Sequence, residues 1–228
     1  MYLTRITLLD RPDLNRLREL TGNAYREHQM LWRLFEDDPD ATRDFLYRRE
    51  IQQGRPRYFL LSRRPPVNHL GWWHIDRPKP FKPKLRQGQR LGFTLRVNPI
   101  VSRRDENGKL KRHDVVMDLK IRRGWQEQPK SNRQPLPALI QEAGIDWLTH
   151  RTERHGFDFD PDQIQVDAYH QHRFRKNGSG KAIHLSTLDF AGIVTVTDPA
   201  KFIEETLCKG IGPAKAFGCG LMLVRRLR

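Results

Sequence analysis

Two halves that each run strand, helix, two strands and a closing strand, divided near residue 102 where the chain turns basic, predict an α+β protein. The economical architecture for that order is two tandem ferredoxin-like (RRM-like) domains. They are expected at 1–102, with a helix carrying reactive side chains, and 103–228, with a basic hairpin and a glycine-rich loop. The length of 228 residues allows two units of about 100 residues each. No residue-level repeat links the halves, so the duplication rests on element order.

In the first half, residues 2–9 place Leu3, Ile6 and Leu8 among polar residues and read as a strand with a polar interruption. A short helical turn is expected through Leu14, Leu17 and Leu20. After Gly22, Asn23 is an N-cap for a helix whose Ala24, His28, Leu31 and Phe35 fall at helical spacing, ending at Asp37-Asp38-Pro39. Residues 45–51 and 57–63 form a hairpin, 65–83 shows no clear period, and 91–101 alternates through Leu91, Phe93, Leu95 and Val97 as a strand.

The second half opens on a short apolar patch at 115–119, followed by 124–135, rich in Gln, Pro and Asn and read as a flexible insertion. Leu139, Ile140, Ala143, Trp147 and Leu148 then mark a helix over 136–151. Strands at 164–174 and 181–196 enclose the turn signal Asn177-Gly-Ser-Gly180. Asp198-Pro199 starts a helix running to about Cys208, and a glycine segment leads into a strand at 221–227.

The charge balance narrows the partner. Against 27 Asp and Glu stand 42 Lys and Arg, a formal net charge of +15. Such an excess suits a polyphosphate, with an anionic membrane surface the lesser rival. Two cysteines, Cys208 and Cys219, are too few for a disulfide framework. The apolar stretches fall short of the ~20 residues of a membrane span. A soluble, cytoplasmic protein with no membrane partner is expected.

His28 stands where the helical stripe calls for an apolar residue, with Tyr25 three residues earlier and so on nearly the same face. Both lie in the first turns of the helix, where free N–H groups attract phosphate. RNA cleavage without metal needs little more. The ribose 2′-OH attacks its own phosphorus while a base takes its proton and an acid supports the leaving 5′-oxygen. His28 can serve as either, Tyr25 can orient or donate, and Arg33 offers a cation at a loose helical spacing. The alternative is a half-buried histidine and a packing tyrosine.

His150, His155, His170 and His172 lack any cysteine or carboxylate at zinc-like spacing, and no two-metal carboxylate cluster occurs, so neither metal nor cofactor is expected. Arg173, Arg175, Lys176 and Lys181 make a basic hairpin tip that can reach phosphates along an A-form groove. The run from Gly210 to Gly220 follows a helix and precedes a strand, the reverse of a nucleotide-binding Walker loop. Its glycines allow close backbone approach to a partner, or simply a tight connection.

Gly210-Ile-Gly212 and Gly218-Cys-Gly220 near the C-terminus match the signature loop of the repeat-associated CRISPR protein superfamily. With Met1-Tyr-Leu, Tyr25-Arg-Glu-His28, Arg43-Asp-Phe-Leu46 and Leu95-Arg-Val-Asn-Pro99, nearly the whole chain resembles the CasE family of repeat-processing endoribonucleases of type I-E Cascade. Residues 124–135 depart from that pattern. The resemblance implies catalytic roles for Tyr25 and His28, and places Arg33 near a lysine that some relatives use. It implies that Arg173, Arg175, Lys176 and Lys181 contact the repeat stem. Gly210, Gly212, Lys215, Gly218 and Gly220 would lie on the RNA-binding surface. It further implies cleavage at the base of the CRISPR repeat hairpin to a 2′,3′-cyclic phosphate and a 5′-OH, retention of the guide RNA, and assembly with other Cascade subunits. The rival functions are a non-cleaving RNA-binding scaffold and a general basic RNA or DNA binder.

Overall fold

In the computed structural model, which describes residues 1–9, 24–35, 43–175 and 182–227, the first sheet is ordered β2–β3–β1–β4. Its strands are β1 (Tyr2–Leu8), β2 (Phe45–Gln52), β3 (Arg55–Ser62) and β4 (Trp73–Ile75), with β5 (Lys79–Pro80) beside β1. All neighbours are antiparallel. The polar interruption in β1 is Thr4, which is buried in phase with Ile6 and Leu8. Gln53 and Gly54 both take positive φ and close the β2–β3 hairpin, as a two-residue turn between twisted strands requires. Against this sheet α1 (Ala24–Trp32) lays Met30 and Leu31, which pack with Ile6, Tyr58, Leu60 and Trp73. The expected turn at Leu14–Leu20, the Asn23 cap and Asp37–Pro39 lie outside the described residues.

The second sheet repeats the plan, in the order β10–β11–β6–β12. Its centre is β6 (Arg90–Val97), paired with β11 (Ala182–Val196) on one side and β12 (Met222–Arg226) on the other. This corrects the expected boundary at 102. The alternating strand belongs to the second unit, and the chain passes between sheets after Pro80 and before Arg90. Leu91, Phe93, Leu95 and Val97 sit in one core with Trp147, Phe190 and Phe202, which fixes that membership. The basic run beyond it forms a two-stranded ribbon, β7 (Ile100–Arg104) with β8 (Leu110–Asp114).

The apolar patch at 115–119 is helical: α2 (Val115–Arg122), capped by the Asp114 carboxylate accepting from the Met117 N–H at 2.8 Å. Residues 124–135 close on an aromatic centre. Trp125 lies against Lys120 and Arg133, 4.8 and 5.1 Å from its ring, and its indole N–H donates to the Gln134 carbonyl. This segment is therefore a folded loop where a flexible one was expected. Then come α3 (Leu136–Thr149), α4 (Thr152–His155), β9 (Phe157–Asp158) and β10 (Ile164–Arg175). The turn at 177–180 is outside the described residues. Asp198 caps α5 (Pro199–Lys201) by accepting from Ala200 and Lys201, and the helix widens to a π-helical stretch over Phe202–Cys208.

The two units meet over a small apolar patch. Leu46 and Leu61 of the first sheet pack with Leu221 just before β12, flanked by Leu3, Phe59 and Leu223. Polar contact is made at its edge, where the Tyr47 hydroxyl donates to the Ala216 carbonyl at 3.2 Å.

Candidate active site

The helix α1 carries Tyr25 and His28, and its sequence explains how the pair is held. Glu27, Met30 and Leu31 are buried, while Arg26 and Gln29 face solvent. Glu27 accepts from the Tyr58 hydroxyl at 2.7 Å and pairs with Arg49 at 3.3 Å, tying the helix to β3 and β2. Burial raises the pKa of this carboxyl, and the Arg49 cation only partly counters it. A glutamate on an amphipathic helix reads as surface, so the sequence carries no signal for this anchor.

His28 fills its place in the stripe as an aromatic residue. Its ring stacks on Phe45 at 5.9 Å and meets the edge of Trp32 at 5.8 Å. Nδ1 is buried without a hydrogen-bond partner among the described residues. Burial first, then repulsion from Arg43, push the imidazole down to about pKa 4, so it is neutral at pH 7. Tyr25 lies about 60° round the helix from His28. Its hydroxyl accepts from Gln29 at 3.2 Å.

Arg33 is not brought to this face. It follows the end of α1, is exposed, and lies about 140° round the helix axis from His28. The cation coupled to His28 is Arg43, two residues before Phe45. Its motif, Arg43-Asp-Phe-Leu46, is visible in the sequence, but the distance along the chain hides its nearness to His28.

The glycine loop docks on the same region. Gly210 has φ +76°, and a Cβ there would lie 2.9 Å from both the Gly220 carbonyl and Leu46. Gly218 has φ +75° and approaches the Tyr47 ring to 3.1 Å by the same measure. These glycines therefore serve close packing within the chain, between the loop's own arms and against the first domain. Lys215 begins the short 3₁₀ turn Lys215–Phe217, on which α1 packs. Its ammonium is half-buried, and burial followed by Arg43 lowers its pKa.

The basic hairpin reaches this seam through Phe174, whose ring meets Phe217 edge-on at 5.2 Å. Arg173 is exposed on β10. Lys176, Lys181 and the side chain of Arg175 lie outside the described residues. Thus α1, the glycine loop and the base of the hairpin converge.

A second basic feature was not anticipated. A cavity of about 760 Å³ lies between the β7–β8 ribbon and the glycine loop, lined by Arg112, Arg151, Arg154, Lys209 and Lys215. Arg151 lies over the Trp147 ring at 3.6 Å. Two of the other histidines have structural surroundings: His155 is buried against Thr206 at 3.1 Å, and His172 bonds Thr187 at 3.0 Å. The Cys219 thiol is buried and pushed up to about 12, which leaves it unreactive.

A family model described as CRISPR associated protein matches residues 1–226. The chain is 29% identical to the CRISPR system Cascade subunit CasE of Escherichia coli, over 97% of this chain and 98% of that protein. It is 29% identical to the CRISPR-associated endoribonuclease Cse3 of Thermus thermophilus, over 98% and 99%. Its fold superposes on Thermus thermophilus Cse3 bound to an RNA representing a pre-cleavage complex, with TM-score 0.71, 26% identity and 98% of each chain covered.

Proposed function

Since the chain belongs to the CRISPR associated protein family, we propose that it is a metal-independent endoribonuclease that cuts CRISPR precursor RNA within each repeat. The cut falls at the base of the repeat hairpin, and the guide RNA is retained in a Cascade complex in the cytoplasm. The relatives named an endoribonuclease and a Cascade subunit support the activity and the assembly. Among the described residues no helix is long and apolar enough to cross a membrane.

The observation that carries the reading is His28: a neutral imidazole, unpaired at Nδ1, at the seam where α1 meets the glycine loop. A neutral imidazole is the form that accepts a proton. His28 takes the proton of the ribose 2′-OH as that oxygen bonds to phosphorus, and the P–O5′ bond breaks. The products are a 2′,3′-cyclic phosphate and a 5′-hydroxyl: the leaving 5′-oxygen takes a proton from solvent, and the His28 imidazolium returns its own to solvent. Tyr25 orients the ribose or donates toward the developing charge. Arg33, turned away, contacts RNA outside the reacting centre. Arg173, Arg175, Lys176 and Lys181 hold the repeat stem by its phosphates.

The test is incubation of the cognate repeat RNA with the protein in EDTA, with a 2′-deoxy substitution at the scissile nucleotide as control. Cleavage of the all-ribose RNA alone, lost in His28→Ala with binding retained, is the expected result. Binding without cleavage points to a scaffold, and a requirement for divalent metal overturns the mechanism.

A further inference from the structure

We propose that Arg43 and Lys215, one from each domain, together form the binding site for the phosphate at which the RNA is cut. This rests on the endoribonuclease reading and adds the groups that grip the reacting phosphorus.

Arg43 stands two residues before Phe45, whose ring stacks on His28. Its Nη1 is buried and has no hydrogen-bond acceptor among the described residues. Arg48, Arg49 and Arg57 also leave guanidinium N–H groups buried and unanswered, and of these four arginines Arg43 is the one whose charge acts on His28. Lys215 arrives from the other domain, on the turn that packs against α1. It too makes no ion pair among the described residues.

Among the described residues the carboxylates nearby are already used. Asp44 is held by Arg64 at 3.0 Å, Glu27 by Tyr58 and Arg49, and Glu205 by Lys209 at 2.6 Å. Arg43 disfavours the charged forms of both His28 and Lys215. Among the described residues the fold therefore sets two cations, Arg43 and Lys215, against each other near the His28 imidazole, and no carboxylate forms an ion pair with either. A phosphodiester fits that field. The planar guanidinium can donate to its non-bridging oxygens while the ammonium acts as a point charge. Charge on those oxygens grows as the 2′-oxygen bonds to phosphorus, so fixed cations stabilise the transition state more than the bound RNA.

The experiment compares wild type with Arg43→Met, Arg43→Lys and Lys215→Met in single-turnover cleavage of the cognate repeat RNA in EDTA. Affinity for the 2′-deoxy RNA and the melting temperature are measured beside it. Arg43→Met is expected to slow cleavage about 100-fold or more, weaken binding of the 2′-deoxy RNA less than about tenfold, and melt no lower than wild type. The last result distinguishes a held phosphate from a structural arginine, whose loss would lower the melting temperature. Arg43→Lys recovers part of the rate, and Lys215→Met slows cleavage about tenfold or more. Cutting by Arg43→Met within threefold of wild type overturns the proposal, as does a rate loss matched by loss of folded protein (threefold being roughly the scatter of a minor effect). A wild type that cuts while all variants cut equally overturns this site alone. A wild type that leaves the RNA intact overturns the endoribonuclease reading as well.

Discussion

The Tyr58 hydroxyl donates to Oε1 of Glu27 at 2.7 Å, inside the first domain and one residue from His28. That bond and the Arg49 ion pair hold α1 at a fixed rotation, and with it the direction of the imidazole. Glu27→Ala leaves a buried phenol and a guanidinium without their acceptor, and is expected to cost about 3 kcal/mol. Tyr58→Phe removes one neutral donor and costs about 1–2 kcal/mol. Denaturant melts of the two variants check both magnitudes. The pH response has a definite sign. Burial raises the folded pKa of Glu27, so its contribution to stability is greatest at acid pH and is lost as pH rises through that pKa. The gap in stability between wild type and Glu27→Gln should therefore shift against wild type on going from acid to neutral pH.

The pH profile of cleavage follows from the opposite displacement at His28. Its folded pKa is depressed from 6.5 to about 4, so the neutral base persists through mildly acid pH. The profile of kcat/KM, which reports the free enzyme, should stay level from neutral pH downward and fall on a limb near pH 4. A limb at 6.5 or above would contradict a buried base. The same depression stabilises the fold above pH 6.5, and that stability is lost as pH falls through about 4. His155 is lowered to about 4 as well, so His28→Gln should remove only part of the acid sensitivity in a melting series.

Gly210 tests what the glycine loop is for. Its backbone is left-handed, and an added Cβ would meet the Gly220 carbonyl and Leu46 at 2.9 Å. Gly210→Ala should cost about 2 kcal/mol or more, from the strained φ together with displaced backbone. If the glycines instead served only to admit RNA, the variant would melt like wild type and lose affinity. Comparison of its melting curve with its affinity for the 2′-deoxy RNA decides between the two.

These tests fall where the sequence ran out. Element order exposed two β-α-β-β units, because alternation in β6 and helical spacing in α1 are local properties of the chain. Which sheet β6 joins is not local. It depends on pairing with β11 and β12, some 90 and 130 residues on, and the alternation is satisfied equally by either core. His28 could be read because a polar ring broke an apolar stripe. Arg43 could not, since its relation to His28 passes through the fold of the first sheet. The glycine motif was legible as a pattern, whereas its packing against Tyr47 required the two domains side by side.

Phe174 joins the basic hairpin to the glycine loop through its edge-on contact with Phe217, at 5.2 Å. Arg173 is exposed on this strand, and the ring pair fixes the base of the hairpin relative to the glycine loop. An aromatic pair of this geometry contributes about 0.5–1.5 kcal/mol beyond its buried area, enough to bias the hairpin without deciding the fold. Phe174→Ala should therefore weaken binding of the repeat RNA by about tenfold, as ordering of the hairpin is deferred to binding. The rate at saturating protein should change far less, because His28 is anchored by Glu27 and Phe45, which the substitution does not touch. Single-turnover titration separates the two quantities. A fall in the saturating rate as large as the loss of affinity would mean that the hairpin helps to set the reacting geometry itself.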